Sequence, residues 1–211
     1  MCDRLAEISQ TICSTFEEAD RARDQGLALH REVIRESSLA IRAIHRLEFE
    51  LAERHLDKAR VTLGRATGLL TGHPCVYHGG FLQDAQKEYA EARCTYAIVR
   101  DQPIPTPAEL QVEDAPYLNG LAESVGELRR HILDLIRRGE VSSCERLLGW
   151  MDDIYYVLIS IDFPDAITRG LRRSTDVARG CLEKTRGDLT THLGHLQLEQ
   201  SIQTLRSQMQ H

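Results

Sequence analysis

The chain has little of most features that would assign it quickly. Aromatic residues make up 5% of it, β-branched clusters are few, and no stretch alternates apolar and polar residues cleanly enough for a strand. No apolar run approaches the ~18 residues of a membrane-spanning helix, so no membrane partner is expected. The N-terminal stretch, residues 1–7, is polar and acid-bearing. It lacks the basic region and apolar stretch of a signal peptide, so a cytoplasmic protein is expected. The six cysteines (Cys2, Cys13, Cys75, Cys94, Cys144 and Cys181) form no CxxC pair. That argues against a zinc ribbon and for free thiols in a reducing compartment; the surrounding pattern puts Cys94 in the core. No internal repeat and no low-complexity segment interrupts the chain.

Lysine is nearly missing too. Of 26 basic residues only Lys58, Lys87 and Lys184 are lysine; the rest are arginine. The net charge of −6 argues against a general polyanion binder. Two readings fit the arginine bias, and a compositional habit is the plainer one. Arginine's planar fork also suits bidentate phosphate contacts and stacking on bases.

What the chain does have is helical period. Leu5, Ile8, Ile12 and Phe16 recur at three and four, and Leu27, Ile34, Ile41 and Ile44 continue the pattern. This is one very long helix or two with a break near Gly26. A helix is expected from about Glu48 to Leu70, stopped by Thr71-Gly72-His73-Pro74 with Gly72 in the left-handed C′ role. Gly79-Gly80 opens the next, whose stripe is Ala85, Tyr89, Ala92, Tyr96 and Val99. Residues 101–116 hold four of the six prolines, yet Thr106-Pro107-Ala108-Glu109 is a capping box with proline at N1. A long helix from Asp114 should end at Gly139. Ser142-Ser143-Cys144-Glu145 reads as a second capping box, opening a helix to about Ser160. Asp165 can cap a last helix ending near Gly194, with a tail over 195–211 that frays. The expectation is an all-α protein of six or seven helices in one domain spanning 1–211, large enough to bury a core.

Two carboxylate pairs stand out. Glu88 and Glu91, three apart, share a helix face, as do Glu123 and Glu127, four apart. Like charges so placed repel by a few tenths of a kcal/mol in an isolated helix. Solvent and basic neighbours offset this on an ordinary helix surface, and Glu127 could pair with Arg130 or His131. A divalent cation would offset it as well. If the two helices pack side by side, four carboxylates converge, and an oxygen-rich cluster suits Mg²⁺ or Mn²⁺. A second feature is the row Arg31, Arg35, Arg42 and Arg46, confined to a narrow arc of the first helix. It is either a solvated face, with Glu32, Glu36 and Glu50 interspersed, or a track for a phosphate backbone. His73 and His78 read as loop histidines.

Three stretches resemble the translin/Trax family of helical nucleic-acid-binding proteins. Residues 31–46 are similar to the family's basic first-helix segment. Lys87-Glu88-Tyr89-Ala90-Glu91-Ala92 looks like the Trax signature QEYVEA. Residues 114–130, running through Leu121-Ala122-Glu123-Ser124-Val125-Gly126-Glu127-Leu128, resemble the Trax pattern DYLLGVADLTGELMR. The resemblance implies a seven-helix fold, assembly into a closed hollow homo-oligomer, an octamer in this family, and a Trax-like archaeal or bacterial homologue. It assigns Glu88, Glu91 and Glu127 to the family's catalytic acids. Glu123 stands where the family usually has aspartate, one methylene shorter, a departure that bears on octahedral metal geometry.

The first expectation is therefore an endoribonuclease. Glu88, Glu91, Glu123 and Glu127 would hold Mg²⁺ or Mn²⁺ and act on single-stranded RNA within a closed shell, with one glutamate as general base. The second is a shell that binds single-stranded RNA or DNA without cutting, and the third a helical scaffold. Under the resemblance the Arg31–Arg46 row becomes an RNA or a subunit contact.

Overall fold

The structure is a computed structural model and describes residues 2–209. Among them are nine α-helices, one 3₁₀ turn and no strand: α1 (Cys2–His45), α2 (Phe49–Leu70), α3 (Pro74–Tyr77), α4 (Phe81–Val99), α5 (Pro107–Leu110), α6 (Asp114–Arg138), α7 (Cys144–Ile159), α8 (Asp165–Thr168) and α9 (Leu171–Gln208). Six are long; α3, α5 and α8 are single turns in the connections.

α1 runs unbroken through Gly26. At ~1.5 Å per residue its 44 residues extend roughly 66 Å. Gly26 is a contact point rather than a break: a Cβ there would lie 3.1 Å from both Leu70 Cδ2 and the Phe81 ring. The helix keeps its hydrogen bonds and uses the missing side chain to let the end of α2 and the start of α4 press close. Residues 3–18 stand clear of the bundle, with Leu5, Ile8, Ile12 and Phe16 exposed. The core begins at Ala22.

α2 returns along α1 after a turn at Leu47, whose φ of 62° lets the Glu48 amide donate back to Ala43. Its buried face alternates alanine and leucine (Ala52, Leu56, Ala59, Leu63, Ala66, Leu70) at spacings of four and three, allowing close helix approach. α4 is buried on most sides, against α1, α2 and α6. α6 lies between α4 and α9, and α7 packs on α6 and α9. One contiguous apolar core draws on all the long helices, and Cys94 is in it.

Four local expectations change. Gly72 does not take a left-handed conformation. α2 ends at Thr71 with right-handed backbone, and the chain turns directly into α3. The Ser142–Glu145 capping box does not form: residues 141–143 wind as a 3₁₀ turn, so α7 starts after Ser143, whose backbone is not extended and whose side chain makes no cap. Asp165 lies in the first turn of α8; α9 instead starts after two left-handed residues, Arg169 (φ 53°) and Gly170 (φ 82°). α9 passes Gly194 and continues to Gln208, its hydroxyls at Thr190, Thr191, Ser201, Thr204 and Ser207 bonding to carbonyls one turn back. Residues 210 and 211 of the expected tail lie outside the described residues. The Thr106 capping box is present in full, and Gly139 (φ 78°) closes α6.

Candidate metal centre

The site is built where α6 crosses α4. The crossing is tight because residue 120 is glycine: a Cβ there would lie 2.5 Å from the Lys87 carbonyl oxygen and 2.9 Å from the Glu91 nitrogen. Backbone therefore meets backbone one turn from the acids. Glu88, Glu91 and Glu123 each bring a carboxylate oxygen to within 4.8 Å of the others.

The three acids are held differently. Glu91 is nine-tenths buried and forms no hydrogen bond or ion pair among the described residues. Burial, then the charges of Glu88, Glu123 and Glu127, push its carboxyl up to about 8, with Lys87 opposing. Glu88 and Glu123 are partly exposed and share Lys87, whose Nζ lies 2.8 Å from Glu123 Oε1 and 3.3 Å from Glu88 Oε1. Burial pulls the Lys87 ammonium down, but the hydrogen bond and charge of Glu123, with Glu88 behind, outweigh it and raise its pKa.

Glu127, one turn beyond Glu123, faces another partner. His45 Nε2 donates to its Oε2 at 2.5 Å, while Arg130 stays 3.9 Å away. His45 closes the end of α1, so this bond ties α1 to α6. His131 does not reach Glu127. Its ring packs 6.0 Å from that of His45, and burial, then His45, push it down to about 4. Three of the four expected acids thus converge. The fourth adjoins them and contributes to the charge felt by Glu91.

Three carboxylates, one of them buried without a partner, form a donor set suited to a hard divalent cation. The charges of Glu88 and Glu123 help to raise Glu91, and a cation or ammonium between them relieves the repulsion. The cluster opens into a cleft of about 690 Å³. α6 forms its floor, with Asn119, Glu123 and Gly126; α4 supplies one wall with Lys87 and Glu91, and the α8–α9 junction the other.

Arg31, Arg35 and Arg42 are exposed along α1, while Arg46, the fourth of the expected row, is exposed in the turn just beyond its end; Arg35 pairs with Glu36 at 2.9 Å. His73 is half-buried beside Pro74, and the exposed His78 ring stacks edge-on against Tyr77. The sequence alone does not mark Lys87, His45, Asn119 or Gly120 as site residues. The only signal for the last two is an isolated glycine and a run of polar positions inside an apolar helical pattern.

No family model matches the chain. An uncharacterized protein of Methanocaldococcus jannaschii is 32% identical over 190 residues, which cover 89% of this chain and 83% of that one. The structure of AfC3PO in complex with duplex RNA has a TM-score of 0.82 at 34% identity, covering 91% of this chain and 97% of that one. The crystal structure of AfC3PO has a TM-score of 0.81 at the same identity, with 91% and 98% covered. Apo-NeC3PO shares the fold, with a TM-score of 0.79 at 17% identity and 87% and 96% covered. An all-α fold and these likenesses define the class: the chain belongs to the translin/Trax family, with the C3PO proteins. No helix of the described residues is long and apolar enough to cross a membrane.

Proposed function

We propose that this chain is a metal-dependent endoribonuclease of the Trax-like kind. The observation that carries the reading is Glu91, a largely buried residue whose carboxylate opens on the cleft with no protein partner, within 4.8 Å of Glu88 and Glu123. A buried, unpaired acid is strongly unfavourable unless something offsets it. Glu88, Glu91 and Glu123 would hold Mg²⁺ or Mn²⁺. When bound, such an ion supplies charge that acidifies water and stabilises a phosphodiester under attack. Glu91 must lose its proton to serve. Glu127, fixed by His45, lends negative charge to the cluster and can accept a proton at its free oxygen. Lys87 offsets Glu88 and Glu123 and stands where it can meet a phosphate. RNA as substrate is supported by the relative that has been captured with duplex RNA. Single-stranded RNA is the substrate we propose, inside a homo-oligomeric shell of eight copies in a cytoplasmic protein.

The second reading is a shell that binds RNA, or single-stranded DNA, without cutting. Lys87 favours it, since its ammonium already does part of a cation's work between two of the acids; so does glutamate at 123. The deciding experiment is cleavage of labelled single-stranded and duplex RNA with Mg²⁺, with Mn²⁺ and with EDTA, beside Glu91→Gln. Metal-dependent cutting that disappears in the variant supports the nuclease. RNA binding without cutting by the wild type leaves the second reading.

A further inference from the structure

The α8–α9 wall of the cleft, across α6 from the carboxylates, takes no part in the metal chemistry proposed above. Arg169 and Arg173 line it, together with Gly170 and Ser174. Both guanidiniums are exposed, and neither forms an ion pair among the described residues. Their placement is not left to a loose loop. Asn119, buried on α6, donates from Nδ2 to the Thr168 carbonyl at 2.9 Å and accepts from the Ser174 hydroxyl at 2.8 Å on Oδ1. One amide thus clasps the end of α8 and the first turn of α9 onto the floor of the cleft. The two residues between those anchor points that reach left-handed φ, Arg169 and Gly170, complete the hook.

Resting on the RNA reading above, we infer that Arg169 and Arg173 grip the phosphodiester backbone of the RNA strand across the cleft from Glu88, Glu91 and Glu123, with Asn119 as the positioning residue that holds the hook. The chemistry follows from the two walls. An acidic cluster alone repels a polyanion, so a strand needs positive charge opposite to settle near it. Arginine supplies planar, bidentate donors matched to phosphate. The acids would then act on a bond whose flanking phosphates are held from the other side.

The test is binding of a labelled RNA oligonucleotide in EDTA, read by fluorescence anisotropy over a salt series. Metal and cutting are thereby excluded from the readout. Arg169→Gln with Arg173→Gln should weaken binding by about tenfold or more and flatten the salt slope by roughly two, one for each phosphate that is no longer neutralised. The lysine pair Arg169→Lys with Arg173→Lys should restore the slope and most of the affinity. Arg179→Gln, exposed on α9 away from the cleft, should change neither. Matching circular dichroism and melting temperatures confirm that each variant folds. Affinity and slope within about twofold of wild type in the double glutamine variant would overturn the grip, whether or not the wild type cuts. A wild type that binds but does not cut removes the nuclease and leaves the grip to be decided by the same curves. A wild type with no salt-dependent RNA binding removes both.

Discussion

A Cβ on Gly120 would lie 2.5 Å from the main-chain carbonyl oxygen of Lys87, closer than a Cβ atom can sit without something shifting. Two helices touch there with only the Ala90 methyl beside their backbones, and the carboxylates on either side of the contact converge because of it. Gly120→Ala should therefore lower stability by about 1–3 kcal/mol through overpacking, despite alanine's better helix propensity. It should also separate Glu123 from Glu91. A denaturation midpoint and a Mn²⁺ titration, both compared with wild type, test this. Unchanged stability would mean that the crossing is looser than the structure has it. Gly126→Ala is the control, since nothing lies within 4 Å of a Cβ at that position.

Glu91 predicts a pH dependence with a definite sign. Its folded pKa, about 8, is above the ordinary carboxylate value of 4.5. Between those values the folded state binds more protons than the unfolded one, so without metal its contribution to stability falls as pH rises. Glu91→Gln should raise the melting temperature in EDTA at pH 8 by several degrees, a gain that shrinks towards pH 5. In the wild type, Mg²⁺ or Mn²⁺ should recover that stability and release a proton, with affinity rising up to about pH 8. A wild-type melting temperature indifferent to both ions would count against the centre.

His131 predicts the opposite slope on the acid side. Its folded pKa of about 4 is below the ordinary value of 6.5, through burial and the neighbouring His45. The unfolded state binds more protons between those values. Stability due to this ring is complete above about pH 6.5 and is lost as pH falls towards 4, by up to about 3 kcal/mol. His131→Leu, close in volume and apolar, should flatten that limb of the stability–pH curve. An unaltered acid limb would assign the loss to other groups.

Much of this was legible in the sequence because it depends on local rules. The span of α2, the Thr106 capping box, the Gly139 stop and the two acid pairs follow from spacing and turn chemistry within one element. The family resemblance put the two pairs in one site; the structure gathers Glu88, Glu91 and Glu123, while Glu127 turns to His45. What was not legible depends on contacts between elements far apart. Lys87 meets Glu123 across 36 positions, and His45 meets Glu127 across 82. Nothing in either local pattern names the partner. Gly72 and the Ser142–Glu145 box offered suitable residues for caps, but Gly72 keeps out of the left-handed region and residues 141–143 wind as a 3₁₀ turn straight into α7. Gly26 left a break in α1 open and is a packing contact in an unbroken helix, which only the position of Leu70 and Phe81 explains. Asn119 was one polar residue in an amphipathic helix until α8 and α9 closed on it.

Lys87 offers the sharpest separation of the two functional readings. Its ammonium neutralises Glu88 and Glu123 in the absence of a metal ion, so it competes with any cation for the same oxygens. Lys87→Gln should remove two half-exposed ion pairs, lowering metal-free stability by no more than about 1 kcal/mol. The same change should tighten Mn²⁺ binding severalfold, since like-charge repulsion of the ion is removed. In a nuclease the lysine also faces the substrate phosphate, so RNA cleavage should fall through KM while the metal is held more tightly. In a binding shell the metal effect would be small and RNA affinity alone would drop. Isothermal titration with Mn²⁺, set beside single-turnover cleavage and RNA binding of the same variant, distinguishes these outcomes. Mn²⁺ affinity reduced by the substitution would show that Lys87 supports the ion, contrary to the competition its position between Glu88 and Glu123 implies.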